Sequence, residues 1–300
     1  MRVAYCLVGI VGACEHGMGL GRDIDYRLAH YWNKKNIFDI NDVDVFMHSW
    51  SIEHREGLEK LYEPKGSIYE KQIDFGMETI RDNAIISRWY STAMCNRLRQ
   101  DYEERHGFKY DAVMFFRYDH VFMVPLDFSK FDMDKIWFRY RRPVGWVDGV
   151  RQGDNVGIVD TTKDVDLSTW EKRREFNLHP NDRVFDSFIF SKREYIDIYA
   201  ETYNELDTNS ITTPHHEICL QLQRHNIWDK VDWHFFGEIE TEAIRALYKD
   251  PHLREGDFDI NNYERFEEKY VRQNQEVLTR FKGIPDVNPE VAGFKTRRIV

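Results

Sequence analysis

Cysteine is scarce in this chain. Four occur in 300 residues, Cys6, Cys14, Cys95 and Cys219. No two stand at the CxxC spacing of a zinc or redox site, and they read as reduced core thiols in a cytoplasmic setting. Basic charge is also short: 42 Lys and Arg face 52 Asp and Glu, a formal net charge of −10. A nucleic-acid-binding surface needs a basic footprint, so wholesale nucleic-acid binding is excluded. A phosphate-bearing ligand must then be met by a few local arginines or by a metal. No run approaches the roughly 18–20 apolar residues of a membrane span, so no integral membrane segment is expected. Internal repeats, low-complexity tracts and Pro/Gly/Ser-rich linkers are absent, and nothing in composition divides the chain.

The apolar start "VAYCLVGIVGAC" has only Arg2 ahead of it. A secretory leader carries a charged segment before its apolar one. The start reads instead as a buried strand followed by a turn at Gly12. What is abundant is ordinary core material, 42% hydrophobic residues, with 15% aromatics. That suffices for a large folded core. Strand-like runs at 2–10, 43–49, 67–74, 111–117, 135–141, 184–190 and 231–237 alternate with helical patterns at 22–34, 51–61, 84–105, 192–206, 215–225 and 262–281. In the clearest helix, Ile86, Tyr90, Met94, Leu98 and Tyr102 recur every four residues, and Ile85, Trp89 and Ala93 widen the stripe. Gly107 marks its end. This alternation predicts an α/β fold with a mostly parallel sheet. The segment 142–183, rich in Gly, Asp, Arg and Asn, reads as long loops over one end of the sheet.

One strand poses a question. "DAVMFFRYDHVFM", residues 111–123, is apolar but carries Arg117, Asp119 and His120 at its centre. Buried charge without a partner is costly, so these residues are paired, exposed at a strand end, or placed for chemistry. In an open α/β sheet, ligands bind at the carboxyl ends of strands. The first strand ends near Gly9 and leads into "GACEHGMGLGR", the second ends in "FMHSW", and the fourth in "FRYDH". These ends bring Arg22, His48, Asp119 and His120 toward one crevice. Bland readings stand beside each feature. "GMGLG" lacks GxGxxG spacing and reads as a loop, His48 suits a polar strand end, and Arg88 suits a solvated helix position. Arg117 and Asp119, two apart, suit a simple ion pair. Further on, Asp186 precedes an apolar strand, and "PHHE", Pro214 to Glu217, opens a helix with ordinary helix-start chemistry.

The order "DVFMHSW", "SRWYSTAMCNRL" with "DYEERHGFKYDAVMFFRYD", then "DSFIFSKREYIDIY" and "PHHEICLQLQRHNI" resembles nucleotide-sugar glycosyltransferases of the GT-A fold, of the polysaccharide-building type found in bacteria and viruses. The resemblance spans residues 2–237. It implies one domain over 1–283, a Rossmann-like mixed sheet flanked by helices. Residues 1–125 would be a nucleotide-sugar-binding half, 126–283 an acceptor half, and 284–300 a tail. It places the donor, a UDP-sugar, against Val8, Gly9, Arg22, His48, Arg88, Arg117 and Tyr118. The family's DxD motif holds Mn²⁺ or Mg²⁺ on the donor pyrophosphate. Here its place reads Arg117-Tyr118-Asp119, so only Asp119 carries over as a metal ligand, with His234 as a later one. Arg117 is itself suited to offset phosphate charge. Glu217, with Asp186 as the other candidate, would deprotonate the hydroxyl of a glycan or other acceptor. Trp137, Trp146, Arg139 and Arg141 suit either an acceptor wall or a protected edge strand. Two other readings remain: a metal-dependent phosphoryl hydrolase built from Asp119, His120, His215, His216 and Glu217, and a glycan-binding module without catalysis.

Overall fold

A computed structural model describes residues 1–11, 26–122, 125–140, 146–147, 150–151, 184–208, 211, 213–235 and 241–243. The expected helix at 262–281, the tail at 284–300, Arg22, the "GMGLG" segment and most of 142–183 lie outside these residues.

The strands are β1 (Arg2–Gly9), β2 (Asp42–Ser49), β3 (Gly66–Tyr69), β4 (Ala112–Arg117), β5 (His120–Phe122), β6 (Ile136–Tyr140), β7 (Trp146–Val147), β8 (Val150–Arg151), β9 (Val184–Ser191), β10 (Val231–Phe235) and β11 (Thr241–Ala243). The helices are α1 (Tyr26–Asn33), α2 (Arg55–Tyr62), α3 (Ile80–His106), α4 (Arg193–Ala200), α5 (Thr202–Glu205) and α6 (Pro214–Arg224). A seven-stranded sheet runs in the order β10-β6-β9-β4-β1-β2-β3. Its members are the seven expected strands. β4, β1, β2 and β3 are mutually parallel, as are β10 and β6, while β9 is antiparallel to both β4 and β6. The fold is thus a mixed-sheet α/β fold with flanking helices. The short pair β5–β11, not expected from the sequence, extends the chain just beyond β4.

Alternation along the strands builds two cores. Tyr5, Leu7, Met114, Phe116 and Phe188 fill one face of the sheet with Leu58 and Tyr62 of α2. Cys6, Val8, Val113, Phe115 and Ile189 fill the other, with Trp89 of α3, Tyr199 of α4 and Leu222 of α6. Successive strand side chains point to opposite faces, so a near-continuous apolar strand is what a sheet covered on both sides requires. Cys6, Cys95 and Cys219 are buried, and none of them is in a disulfide.

Helix α3 starts where Thr79 caps it: its Oγ1 accepts the Asp82 N–H at 3.1 Å and donates to the Asp82 carboxylate at 2.6 Å. The pairing satisfies the Asp82 N–H, one of the donors that the first turn leaves open. It ends at Gly107, whose φ of +68° lets the Gly107 and Phe108 N–H groups return to the Glu103 carbonyl. The deepest stripe of α3 differs from the expected one. Ile85, Ile86, Trp89 and Ala93 are buried, but the second half buries Asn96, Arg99 and Glu103, while Tyr90, Met94, Leu98 and Tyr102 are half-buried shoulders. Apolar periodicity does not register a buried polar network. Arg99 holds Glu103 at 2.8 Å, Asn96 Oδ1 at 2.8 Å, and Asp197 of α4. Glu103 in turn accepts the Tyr110 N–H at 2.8 Å at the entry to β4.

Breaking such a network leaves a buried charge without a counter-ion. Arg99→Ala is expected to lower the unfolding free energy by about 3–5 kcal/mol, read from urea denaturation. Lys109, an exposed partner of the same Glu103, should cost less than about 1 kcal/mol on mutation to alanine.

Candidate functional site

The sheet order creates a switch point. The chain leaves β1 for β2 on one side and returns through α3 to β4 on the other side of β1. Crevices at such points, beyond the carboxyl ends of the strands, are where open α/β sheets bind ligands. Three residues lie level there: Val8 of β1 pairs in register with His48 of β2 and with Arg117 of β4. Strand β9, running the other way, brings its amino-terminal end to the same edge. Its ladder with β6 slips between Phe138 and Arg139, which pair with Ile189 and Phe185, so Asp186 sits inside the irregularity. Irregularities of this kind re-aim side chains and are frequent beside active sites.

The result is a cluster of opposite charges. Arg117 reaches Asp119 with two hydrogen bonds, Nε to Oδ1 at 2.8 Å and Nη2 to Oδ2 at 2.7 Å. Its Nη1 stands 3.8 Å from Asp186 Oδ2. Arg88, from α3, places Nε 3.8 Å from the same oxygen. It also donates to the Asp186 carbonyl and the Tyr199 hydroxyl, each at 3.0 Å, and to Thr92 Oγ1 at 2.8 Å. Arg88 is therefore a largely enclosed, internally bonded cation and not a solvated helix residue. His215, in the first turn of α6, puts Nδ1 3.7 Å from Asp186 Oδ1. Thr213 caps that helix by accepting the His216 N–H, and Pro214 occupies its first turn.

Burial alone pushes the Asp186 carboxyl upward, but the charges of His215, Arg117, Arg88 and His120 outweigh it and bring it down to about 2. The Arg117 guanidinium shows the mirror balance: burial disfavours its cation, and Asp119 and Asp186 more than restore it. Tyr199 is raised, first by burial.

A second polar chain lies at the same sheet edge, at His48. The ring is fully buried. Its Nδ1 lies 2.6 Å from Ser91 Oγ and its Nε2 lies 2.9 Å from Glu70 Oε1. Ser91 Oγ also accepts the Gly9 N–H at 3.2 Å. The chemically consistent arrangement has Ser91 donating to Nδ1 and Nε2–H donating to Glu70. Burial lowers the His48 pKa and outweighs the help that Glu70 gives to its charged form. A neutral imidazole thus ties the ends of β1 and β2 and the first half of α3 to Glu70, just past β3. Gly9 itself has φ +116°, a conformation that suits glycine.

The sequence-derived residues thus fall into groups. Asp186, Arg88, Arg117 and Asp119 meet directly, and His215 and His120 act on Asp186. Val8 is core. Tyr118 turns its ring into the opposite core and is 1% exposed. Glu217 is buried in the first turn of α6. His234 lies in β10 where the ladder with β6 slips between Trp233 and Phe235, and its side chain is outside the described residues. Trp137, a candidate sugar-stacking face, packs against Phe131 and Phe190, so its ring serves the core. Glu70, Ser91 and Tyr199 escaped the sequence reading. Glu70 fell inside the strand expected over 67–74, whereas β3 ends at Tyr69 and leaves Glu70 just past a strand end, at the same sheet edge as His48. Ser91 and Tyr199 carried no signal.

No protein-family model matches the chain, and no curated protein matches it. Among solved structures, the nucleoside-diphosphate-sugar pyrophosphorylase from Vibrio cholerae RC9 is similar at a TM-score of 0.41 and 12% identity, over 83% of this chain and 98% of that one. So distant a likeness does not bear on activity.

The depressed Asp186 pKa has a sign that denaturation can read. A carboxyl lowered from 3.8 to about 2 contributes on the order of 2 kcal/mol. That contribution is present above the unfolded value and is lost as pH falls toward the folded one. The stability gap between wild type and Asp186→Asn should therefore be widest above about pH 4 and narrow steadily toward about pH 2.5. Urea denaturation across that range checks it.

Proposed function

We propose that this chain is a glycosyltransferase that takes a sugar from a nucleotide-diphosphate sugar, with a UDP-sugar as the first donor to test, and passes it to a hydroxyl of a glycan or other acceptor. The observation that carries this reading is the position of Arg117. Its guanidinium stands at the carboxyl end of β4, at the switch point, and its side chain is 31% exposed while its carboxylate partner Asp119 is buried. A fixed guanidinium fork at a strand end suits phosphate oxygens. The motif order "DVFMHSW" to "PHHEICLQLQRHNI" supports the same class.

In this reading Arg117 faces the donor phosphates. Arg88, half-buried beside Asp186, joins His215 and Arg117 in keeping that carboxylate ionised and holds the strand ends in place. Preorganised charge aimed at a developing phosphate anion is the largest single aid to such a transfer. The neutral His48 chain holds the edge against which the nucleotide rests. A carboxyl brought down to about 2 is poorly matched to accepting a proton near neutrality. Asp186 is thus assigned to organising the cations, and the base role falls to Glu217. The Mn²⁺ or Mg²⁺ expected from the resemblance is not carried into this proposal. Both Asp119 oxygens already hold Arg117, and no three candidate ligands come together among the described residues.

One observation also favours a glycan-binding module without catalysis: an Arg–Asp pair at the DxD position is what a site that had abandoned transfer would show. Donor hydrolysis separates the two, since a binding module releases no nucleoside diphosphate.

Two outcomes are expected. UDP at about 100 times its dissociation constant should stabilise the fold by about 2.7 kcal/mol, seen as a raised melting temperature. No shift with any nucleoside diphosphate at millimolar concentration would refute the donor site. Glu217→Gln should slow transfer by roughly 10²- to 10⁴-fold with UDP affinity nearly unchanged. Full activity in that variant, with only a slightly lower melting temperature, would reduce Glu217 to a helix-terminus acid.

A further inference from the structure

We propose that Arg117 replaces a divalent cation as the charge that meets the donor diphosphate, and that Asp119 is a positioning residue that aims it. This inference rests on the nucleotide-sugar reading above and assigns the means by which the leaving group is stabilised.

The argument begins with an asymmetry of exposure. In the Arg117–Asp119 pair, the Arg117 side chain is 31% exposed and the Asp119 side chain 4%. A carboxylate that holds a metal on a ligand must turn at least one oxygen toward that ligand. Here the carboxylate is the inner member and the cation the outer one. Both Asp119 oxygens accept from the guanidinium, at 2.8 and 2.7 Å. A divalent ion at Asp119 would have to displace a bidentate partner, the stronger form of charge-assisted hydrogen bond.

The pairing leaves Arg117 with an unspent edge. Asp119 takes Nε and Nη2. Nη1 meets Asp186 Oδ2 only at 3.8 Å, beyond hydrogen-bond length. A phosphate oxygen approaching from the exposed side can accept from the remaining N–H groups while Asp119 keeps the fork from rotating. Asp186 is engaged from three directions, by Arg117, by Arg88 at 3.8 Å and by His215 at 3.7 Å. Drawing Arg117 toward a diphosphate therefore does not strand Asp186 without counter-charge.

The chemistry balances without a metal. The bond between the anomeric carbon and the diphosphate oxygen breaks, and its electron pair stays on that oxygen. The acceptor oxygen forms the new bond to carbon, and its proton passes to the carboxylate base. The guanidinium donates hydrogen bonds to the departing phosphate and gives up no proton. Arginine suits this role because it stays charged at any working pH.

The test measures UDP binding to the full chain by calorimetry, first in excess EDTA and then in Mn²⁺. Wild type should bind in EDTA, with a dissociation constant within about threefold of that in Mn²⁺. Binding that appears only with Mn²⁺ would overturn this inference and leave the nucleotide-sugar reading standing. Absence of binding in both would refute that reading and this inference with it. The wild-type comparison needs no variant, so it stands even where a substitution fails to fold. Arg117→Ala should weaken UDP binding by about 10- to 100-fold, and free guanidinium should restore part of it. The double variant Arg117→Ala with Asp119→Asn should show no such rescue, because nothing then aims the added cation. Rescue that is equal in the two backgrounds would remove the positioning role from Asp119.

Discussion

Two carboxylates, Asp119 and Asp186, are buried at the edge of the sheet where the chain changes direction, and they must be neutralised for the fold to exist. An isolated ionised carboxylate in such a place is costly, and a lone guanidinium beside it no less so. The arrangement resolves both costs together. Arg117 bridges the two acids, Arg88 backs Asp186 from α3, and His215 reaches it from α6. β4, β9, α3 and α6 meet at this point through charge, where elsewhere they meet through apolar packing.

The constraint explains the geometry around it. Because β9 runs against its neighbours, its beginning meets their ends, and only there can Asp186 stand near Arg117. The slipped ladder between β6 and β9 breaks regular pairing at the same place. On the other side of β1, His48 performs an uncharged version of the same task. Its two ring nitrogens, engaged by Ser91 and Glu70, tie three strand ends and a helix without burying an ion pair. One side of this sheet edge thus carries an arginine–aspartate cluster, and the other a buried imidazole on a single carboxylate, Glu70.

The proposed function turns on the exposure of one cation. Among the groups of the cluster, Asp119, Asp186 and Arg88 are spent on internal contacts, while Arg117 is held yet reaches solvent. A preorganised charge of this kind costs no reorganisation when a ligand arrives. Further along the same helix, Arg99 and Glu103 form a second network with Asp197 of α4. It anchors α3 to α4 and to the start of β4, and so fixes the helix that carries Arg88.

The sequence by itself determined the strands of the main sheet. Seven apolar runs became the seven strands of the main sheet, because period and β-branched or aromatic content act locally. Gly107 ended α3 because a left-handed residue is needed there. The suspicion that Arg117 and Asp119 pair was also legible, since they stand two residues apart. Tertiary structure alone decided the rest. That Asp186 joins Arg117 depends on the reversed direction of β9 and on a slip in its ladder, and neither leaves a mark in local pattern. That His48 is a buried link depends on Ser91 and Glu70, 43 and 22 residues away. That α3 buries Arg99 and Glu103 depends on Asp197, 98 residues beyond Arg99. A charged residue looks the same in sequence whether it faces water or a distant counter-ion. Only the closing of the chain supplies the partner that makes its burial affordable.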